Sequence, residues 1–285
     1  MAYRRPYSSY RAKRRTGRFA RRSPYTARRR TYVKRSRTYR PVKRTRLTKK
    51  RITDIASTKK RDNMSLYDPD NTTNNYFSQV RGGASYLWCP TARLKDATGI
   101  EDVDRVKTMV YMKGLREKVE LVPNNGAIWK WRRIVFETKG IRDTSTYQFT
   151  SDGYRRLWRK QSPTSGIATA NTVFEGTSTS DISTYFTAKV DRNAVKVHYD
   201  KTRVIRSGND FGGFKTARDY YPFNRSFRYE EDEDGGHSST SHWATLGNHY
   251  MGDVYVWDII TDAGAPNAED FIVVRGDATI YWHEK

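Results

Sequence analysis

The sequence predicts an all-β body, an antiparallel sandwich or jelly roll of about eight strands, joined to a basic arm with no fold of its own. Three observations predict it. Net positive charge is confined to one end of the chain, short β-type apolar runs recur along the rest, and helical periodicity is scarce, with no alternation of strand and helix.

The arm comes first. Residues 1–53 hold 17 Arg and 5 Lys and no acid. Counted to Arg61, 25 basic residues face Asp54 alone, a charge of +24, which leaves 29 basic and 30 acidic residues, or −1, over 62–285. Arg pairs and triples such as Arg14-Arg15, Arg21-Arg22 and Arg28-Arg29-Arg30 alternate with Ser, Thr and Tyr and almost no aliphatic residues. Such a segment cannot offset the entropy cost of folding, so disorder is expected until a polyanion binds. Fully extended, it reaches at most roughly 175 Å.

Residues 54–80 turn to Asp, Asn, Thr and Ser, with Pro69 and the run Asn71-Thr72-Thr73-Asn74-Asn75, and read as a linker or surface segment. The body is expected over 81–285. Residues 84–89 form an apolar run closed by Pro90; 106–122 alternates until Pro123-Asn124-Asn125-Gly126 turns the chain; 127–138 follows, rich in Trp and β-branched residues. Residues 184–190 read as a strand, and 195–199 with 203–206 as two strands about a tight turn at Asp200-Lys201. Residues 251–260 and 271–283 close the series, while 161–181, mainly Ser, Thr, Gly and Ala, reads as a surface loop and 100–106 as a short helical turn.

Arg is a permanently charged planar fork that matches phosphate oxygens, and each phosphate neutralised releases counterions, which makes binding tight, salt-sensitive and sequence-tolerant. The candidate nucleic-acid-binding residues are therefore Arg4, Arg5, Arg11, Arg14, Arg15, Arg18, Arg21, Arg22, Arg28, Arg29, Arg30, Lys34, Arg35, Arg37, Arg40, Lys43, Arg44 and Arg46. Tyr25, Tyr32 and Tyr39 are spaced among them to stack on unpaired bases. Lys43, Arg44 and Arg46, Lys49, Lys50 and Arg51, and Lys59, Lys60 and Arg61 also form clusters of the nuclear-import type.

Other chemistry is not visible. The five histidines form no His-x-His pair, and neither a phosphate-binding Gly-x-x-x-x-Gly-Lys-Ser/Thr loop nor a Gly-x-Ser-x-Gly elbow occurs, so no catalytic residue is assigned. The single cysteine, Cys89, excludes an intrachain disulfide framework and a multi-cysteine zinc site, and no metal or cofactor is expected. The run Glu230-Glu231-Asp232-Glu233-Asp234 lacks calcium-loop spacing and reads as a solvated loop or a contact to a basic patch of a neighbouring subunit. No apolar stretch approaches the length that spans a bilayer, so no membrane partner is expected.

Three stretches resemble the coat proteins of small circular single-stranded DNA viruses, closest to the genomoviruses of gemycircularvirus type and more distantly the geminiviruses. The first is the Arg/Tyr arm running into Ile52-Thr53-Asp54-Ile55-Ala56-Ser57-Thr58-Lys59-Lys60-Arg61-Asp62-Asn63-Met64. The second is Val195-Lys196-Val197-His198-Tyr199-Asp200-Lys201-Thr202-Arg203-Val204-Ile205, and the third Met251-Gly252-Asp253-Val254-Tyr255-Val256-Trp257-Asp258. The resemblance implies an eight-stranded jelly-roll capsid subunit, about 60 copies per icosahedral shell, a circular single-stranded DNA genome packaged by the arm, host nuclear-import receptors as partners, and residence in the virion and the host nucleus. Sixty arms would supply about 1440 positive charges, on the order of the phosphates in a genome of one to three kilobases. Some geminivirus coat proteins carry a Cys/His zinc-finger-like element; with one cysteine this chain departs from that pattern. The rivals are a non-capsid nucleic-acid-binding protein, such as a viral nuclear shuttle or protamine-like packager, and a replication-initiator enzyme, against which the absent motifs count.

Overall fold

Twelve strands in two sheets make up most of what the computed structural model describes, which is residues 48–96, 103–207, 212–264 and 267–285. These residues belong to one unit, Leu47–Lys285. In chain order they form α1 (Lys49–Ala56), β1 (Thr58–Tyr67), β2 (Ser78–Arg81), β3 (Ala84–Trp88), β4 (Met109–Pro123) and β5 (Trp129–Thr138). A 3-10 turn at Thr144–Thr146 leads to β6 (Gln148–Thr150), β7 (Gly153–Leu157) and α2 (Pro163–Val173). The chain then runs through β8 (Lys196–Ile205), β9 (Lys215–Asp234), β10 (His237–Ala244), β11 (Asp253–Asp262) and β12 (Phe271–Glu284).

The larger sheet has the order β10-β9-β4-β12-β1-β7-β6, with β2 also on β12; the smaller is β3-β11-β5-β8. Pairing is antiparallel except for a two-residue parallel contact of β1 with β7. The two sheets face each other in a sandwich-like β fold.

Side-chain alternation explains the layering. On β4, Val110, Met112, Leu115, Val119 and Leu121 face the core while Tyr111, Lys113, Arg116, Lys118 and Glu120 face outward, with the parity reset by an irregularity at Gly114. β5 and β11 are buried on both faces; β11 reads as a nearly continuous apolar run for that reason, whereas β5 also carries Arg132, Arg133 and Glu137 into buried positions. Trp129, Trp131 and Val135 of β5 point between the sheets. Ile134 and Phe136 point the other way, with Tyr255, Trp257 and Ile259 of β11, into a third cluster closed by Ala170 and Val173 of α2.

A fully buried charge quartet bridges the sheets. Arg133 of β5 donates to Asp258 of β11 at 2.7 Å and to Glu117 of β4 at 2.9 Å; Arg156 of β7 donates to the same carboxylates at 2.8 and 3.1 Å. The Trp131 indole adds a bond to Asp258 at 2.7 Å, and the guanidiniums lie over Trp131, Trp88 and Trp158. Burial would raise the Asp258 pKa, but Arg133 and Arg156 outweigh it and hold the carboxyl below its ordinary range.

Several sequence expectations are corrected here. Residues 58–67, read as linker, are β1, a strand inside the larger sheet between β12 and β7. Residues 161–181, read as loop, contain α2: Ser162 caps it by accepting from the Ser165 amide at 3.1 Å, and Pro163 starts it. Its small residues Gly166, Thr169 and Ala170 are buried against the smaller sheet. No strand forms at 184–190, although Val190 bridges Phe174. The two strands expected over 195–206 are one, β8, paired with β5 from Lys196 to Ile205 with one irregularity, so Asp200-Lys201 is not a turn. The expected helical turn at 100–106 lies partly outside the described residues, and 103–106 are not helical.

Candidate nucleic-acid interface

The arm residues assigned to phosphate contact, Arg4 to Arg46, and to stacking, Tyr25, Tyr32 and Tyr39, lie outside the described residues, as do Lys43, Arg44 and Arg46 of the first import cluster. What the structure does place is the junction between arm and body. Thr48 caps α1, its hydroxyl accepting from the Arg51 amide at 3.4 Å. Lys49, Lys50 and Arg51 follow as the first three helical residues, and the first turn contains no acid. Cations oppose the partial positive charge of a helix N-terminus.

Beside α1 lies a groove of about 1020 Å³ between the helix, the start of β4, the middle of β9 and the end of β12. Arg51, Lys113 and Lys285 supply its positive edge, with Asp54 opposing and the His283 ring beside them. Tyr111 and His283 present neighbouring rings 6.3 Å apart, and Lys113 sits 5.6 Å over the Tyr111 ring. Asn224, with φ 49°, organises this wall: its carbonyl accepts from the Tyr111 hydroxyl at 2.8 Å and its side-chain oxygen from Lys113 at 2.9 Å. Burial and the nearby Lys113 lower the His283 pKa, against the pull of Asp54. Cations, hydroxyls and aromatic faces together suit a phosphate backbone with unstacked bases.

The third basic cluster is divided by the pleat of β1. Lys59 and Arg61 face solvent, whereas Lys60 is buried, donating to the Asp104 carbonyl at 2.7 Å and lying 3.7 Å from Glu284. The groove residues on β4, β9 and β12 are far from the arm in sequence, and nothing in composition marks Tyr111, Lys113 or Asn224; only strand register brings them to α1.

The acidic run is not a loop. Residues 230–234 end β9 and pair with β10 through a turn at Gly235-Gly236. Glu230 pairs with Arg142 at 2.7 Å and Glu231 with Lys95 at 3.1 Å and with the Thr108 hydroxyl, so part of the run is used within the chain. Among the described residues no three His, Cys, Asp or Glu side chains come together as a metal site. Cys89 is buried beside Thr91, and burial pushes its thiol pKa up, which leaves it a poor nucleophile. No known protein-family model matches this chain, and no curated protein does.

Proposed function

We propose that this chain is the capsid subunit of a small virus with a circular single-stranded DNA genome. The arm condenses the genome by charge neutralisation and base stacking, and the body builds a closed icosahedral shell. The observation that carries this reading is the segregation of charge: +24 over residues 1–61, against −1 over 62–285. Ordinary soluble domains have no use for an acid-free polycation of this length, whereas a container for a polyanion needs one in every copy.

The strand order supports a jelly roll for the body. The eight longest-range strands fall into two interleaved sets, β1, β12, β4 and β9 against β3, β11, β5 and β8, with the first strand paired to the last. Of the seven connections between these eight strands in chain order, six change sheets and only β5 to β8 stays within one, as a double Greek key requires. The uncapped basic clusters of the arm are the elements a host nuclear-import receptor would read. No catalysis is proposed.

Assembly is the deciding experiment. The purified full chain mixed with circular single-stranded DNA is expected to give closed, uniform shells by electron microscopy, with the DNA protected from nuclease. Soluble nucleoprotein without shells across salt and pH would favour the non-capsid packager instead.

A further inference from the structure

Among the described residues, the larger sheet leaves most of one face open. The smaller sheet buries its outer side chains under α2 and the segment that follows it, and the inner faces of both sheets share the core. On the outer face of β1, β12, β4 and β9 side chains alternate from buried to half-buried or exposed, and α1 lies against its end, at Tyr111, Lys113 and His283.

That face is basic. Arg61, Lys113, Arg116, Lys118, Arg218 and Arg275 project from it, against Glu120 and Asp277. Lys118 and Arg218 are directly opposed across β4 and β9, a like-charge pair that destabilises a sheet by itself. Asp277 and Glu120, the latter 2.9 Å from Lys118, relieve this only in part. Tyrosines sit among the cations. Tyr220 is 53% exposed, and its ring fills the space that a side chain at Gly114 would need. Tyr281 stands opposite Gly114 on the other side. Same-face residues recur about every 6.6 Å along a strand, close to the phosphate spacing of an extended single strand. Through Lys113 and Tyr111 the face runs into the groove beside α1, where the arm joins.

We propose that the outer face of the larger sheet is a second surface for single-stranded nucleic acid, with Arg61, Arg116, Lys118 and Arg218 on phosphates and Tyr220 and Tyr281 stacking on bases. It rests on the reading of the chain as a single-strand packager and adds that the body, not the arm alone, holds the strand. In a shell this face would turn inward.

The test is photocrosslinking of the full chain to a bromodeoxyuridine-substituted single strand, with peptide mapping, alongside salt titrations of the chain and of the triple variant R116Q/K118Q/R218Q. Crosslinks at Tyr220 or Tyr281 as well as in the arm are expected, and the variant should lower the slope of log K against log salt by about 2. Crosslinks confined to residues 1–56 with an unchanged slope would overturn the second surface and leave the packaging reading standing. Absence of any crosslink or salt-dependent binding would overturn the packaging reading itself. Carboxylate-to-amine coupling that joins the acidic hairpin of one copy to Lys113 or Lys118 of another, in the presence of DNA, would also overturn the proposal by giving the face a protein partner. If the variant fails to fold, the crosslink map of the unaltered chain decides alone.

Discussion

Glu117 and Asp258, both buried, each share two guanidiniums, so the quartet is neutral only while all four members are present. Removing one carboxylate leaves an uncompensated buried cation, which typically costs about 3–5 kcal/mol. Glu117→Gln is therefore expected to lower the unfolding free energy by that amount, read as a lower urea midpoint at unchanged m-value; a loss under about 1 kcal/mol would mean the quartet is hydrated. Asp253 gives a pH dependence. Its carboxylate is fully buried and accepts from the Ala244 amide at 3.0 Å, yet burial outweighs this bond and the pull of Arg142 and Lys139, and raises its pKa from 3.8 to about 7. The folded form thus holds a proton that the unfolded form releases. The stability this contributes is complete below about pH 4 and is lost as pH rises towards 7, up to about 4 kcal/mol. Asp253→Asn should remove that decline, and equal slopes in the two proteins would refute the assignment. Glu137 acts in the opposite sense. Burial would raise it, but His198, the Gly252 amide, Lys196 and Arg225 bring its pKa down to about 2, so its contribution fades as pH falls from 4.5 towards 2.

At the level of elements, legibility in the sequence follows how completely local pattern decides structure. β4, β11 and β12 were readable because alternation or a nearly unbroken apolar run carries their burial, and β5 because Trp129, Trp131, Ile134, Val135 and Phe136 are concentrated in it. β9 was hidden because two positions that its alternation points towards the other sheet are charged. Asp219 there accepts from Arg203 of β8 at 2.7 Å, and Arg225 donates to Glu137 at 2.6 Å, partners that only the folded chain supplies. β1 was hidden for the same reason, its Lys60 and Asp62 being satisfied by Glu284 and by Arg93, the latter at 2.5 Å. α2 looks like loop by composition, although its Ser-Pro start is a legible helix signal. Small residues suit it because the helix lies close to β3, where a side-chain carbon at Gly166 would meet the Ser85 hydroxyl at 3.5 Å. Ser162→Ala, which removes the cap, is expected to cost about 1 kcal/mol and to speed amide exchange in α2 before the rest of the smaller sheet; uniform loss would show that α2 does not open separately. Of the candidate site, the arm was legible from charge alone, while the groove needed the register of three strands.

For the molecule as a whole, the boundary between arm and body matters most. The sequence places it at residue 53, yet α1 runs from Lys49 to Ala56 and its cap is Thr48, so a cut that spares the fold belongs at residue 46. In the proposed function labour is divided, with the arm supplying most of the charge that holds the genome and the sheets building the shell. The most direct test is the nucleic-acid content of particles assembled from the full chain and from a chain lacking residues 1–46, measured by absorbance ratio and nuclease protection. Full-length shells should be filled, and the shortened chain should retain its β-type circular dichroism while its particles, if they close, carry little nucleic acid. Equal filling by the two chains would contradict the account.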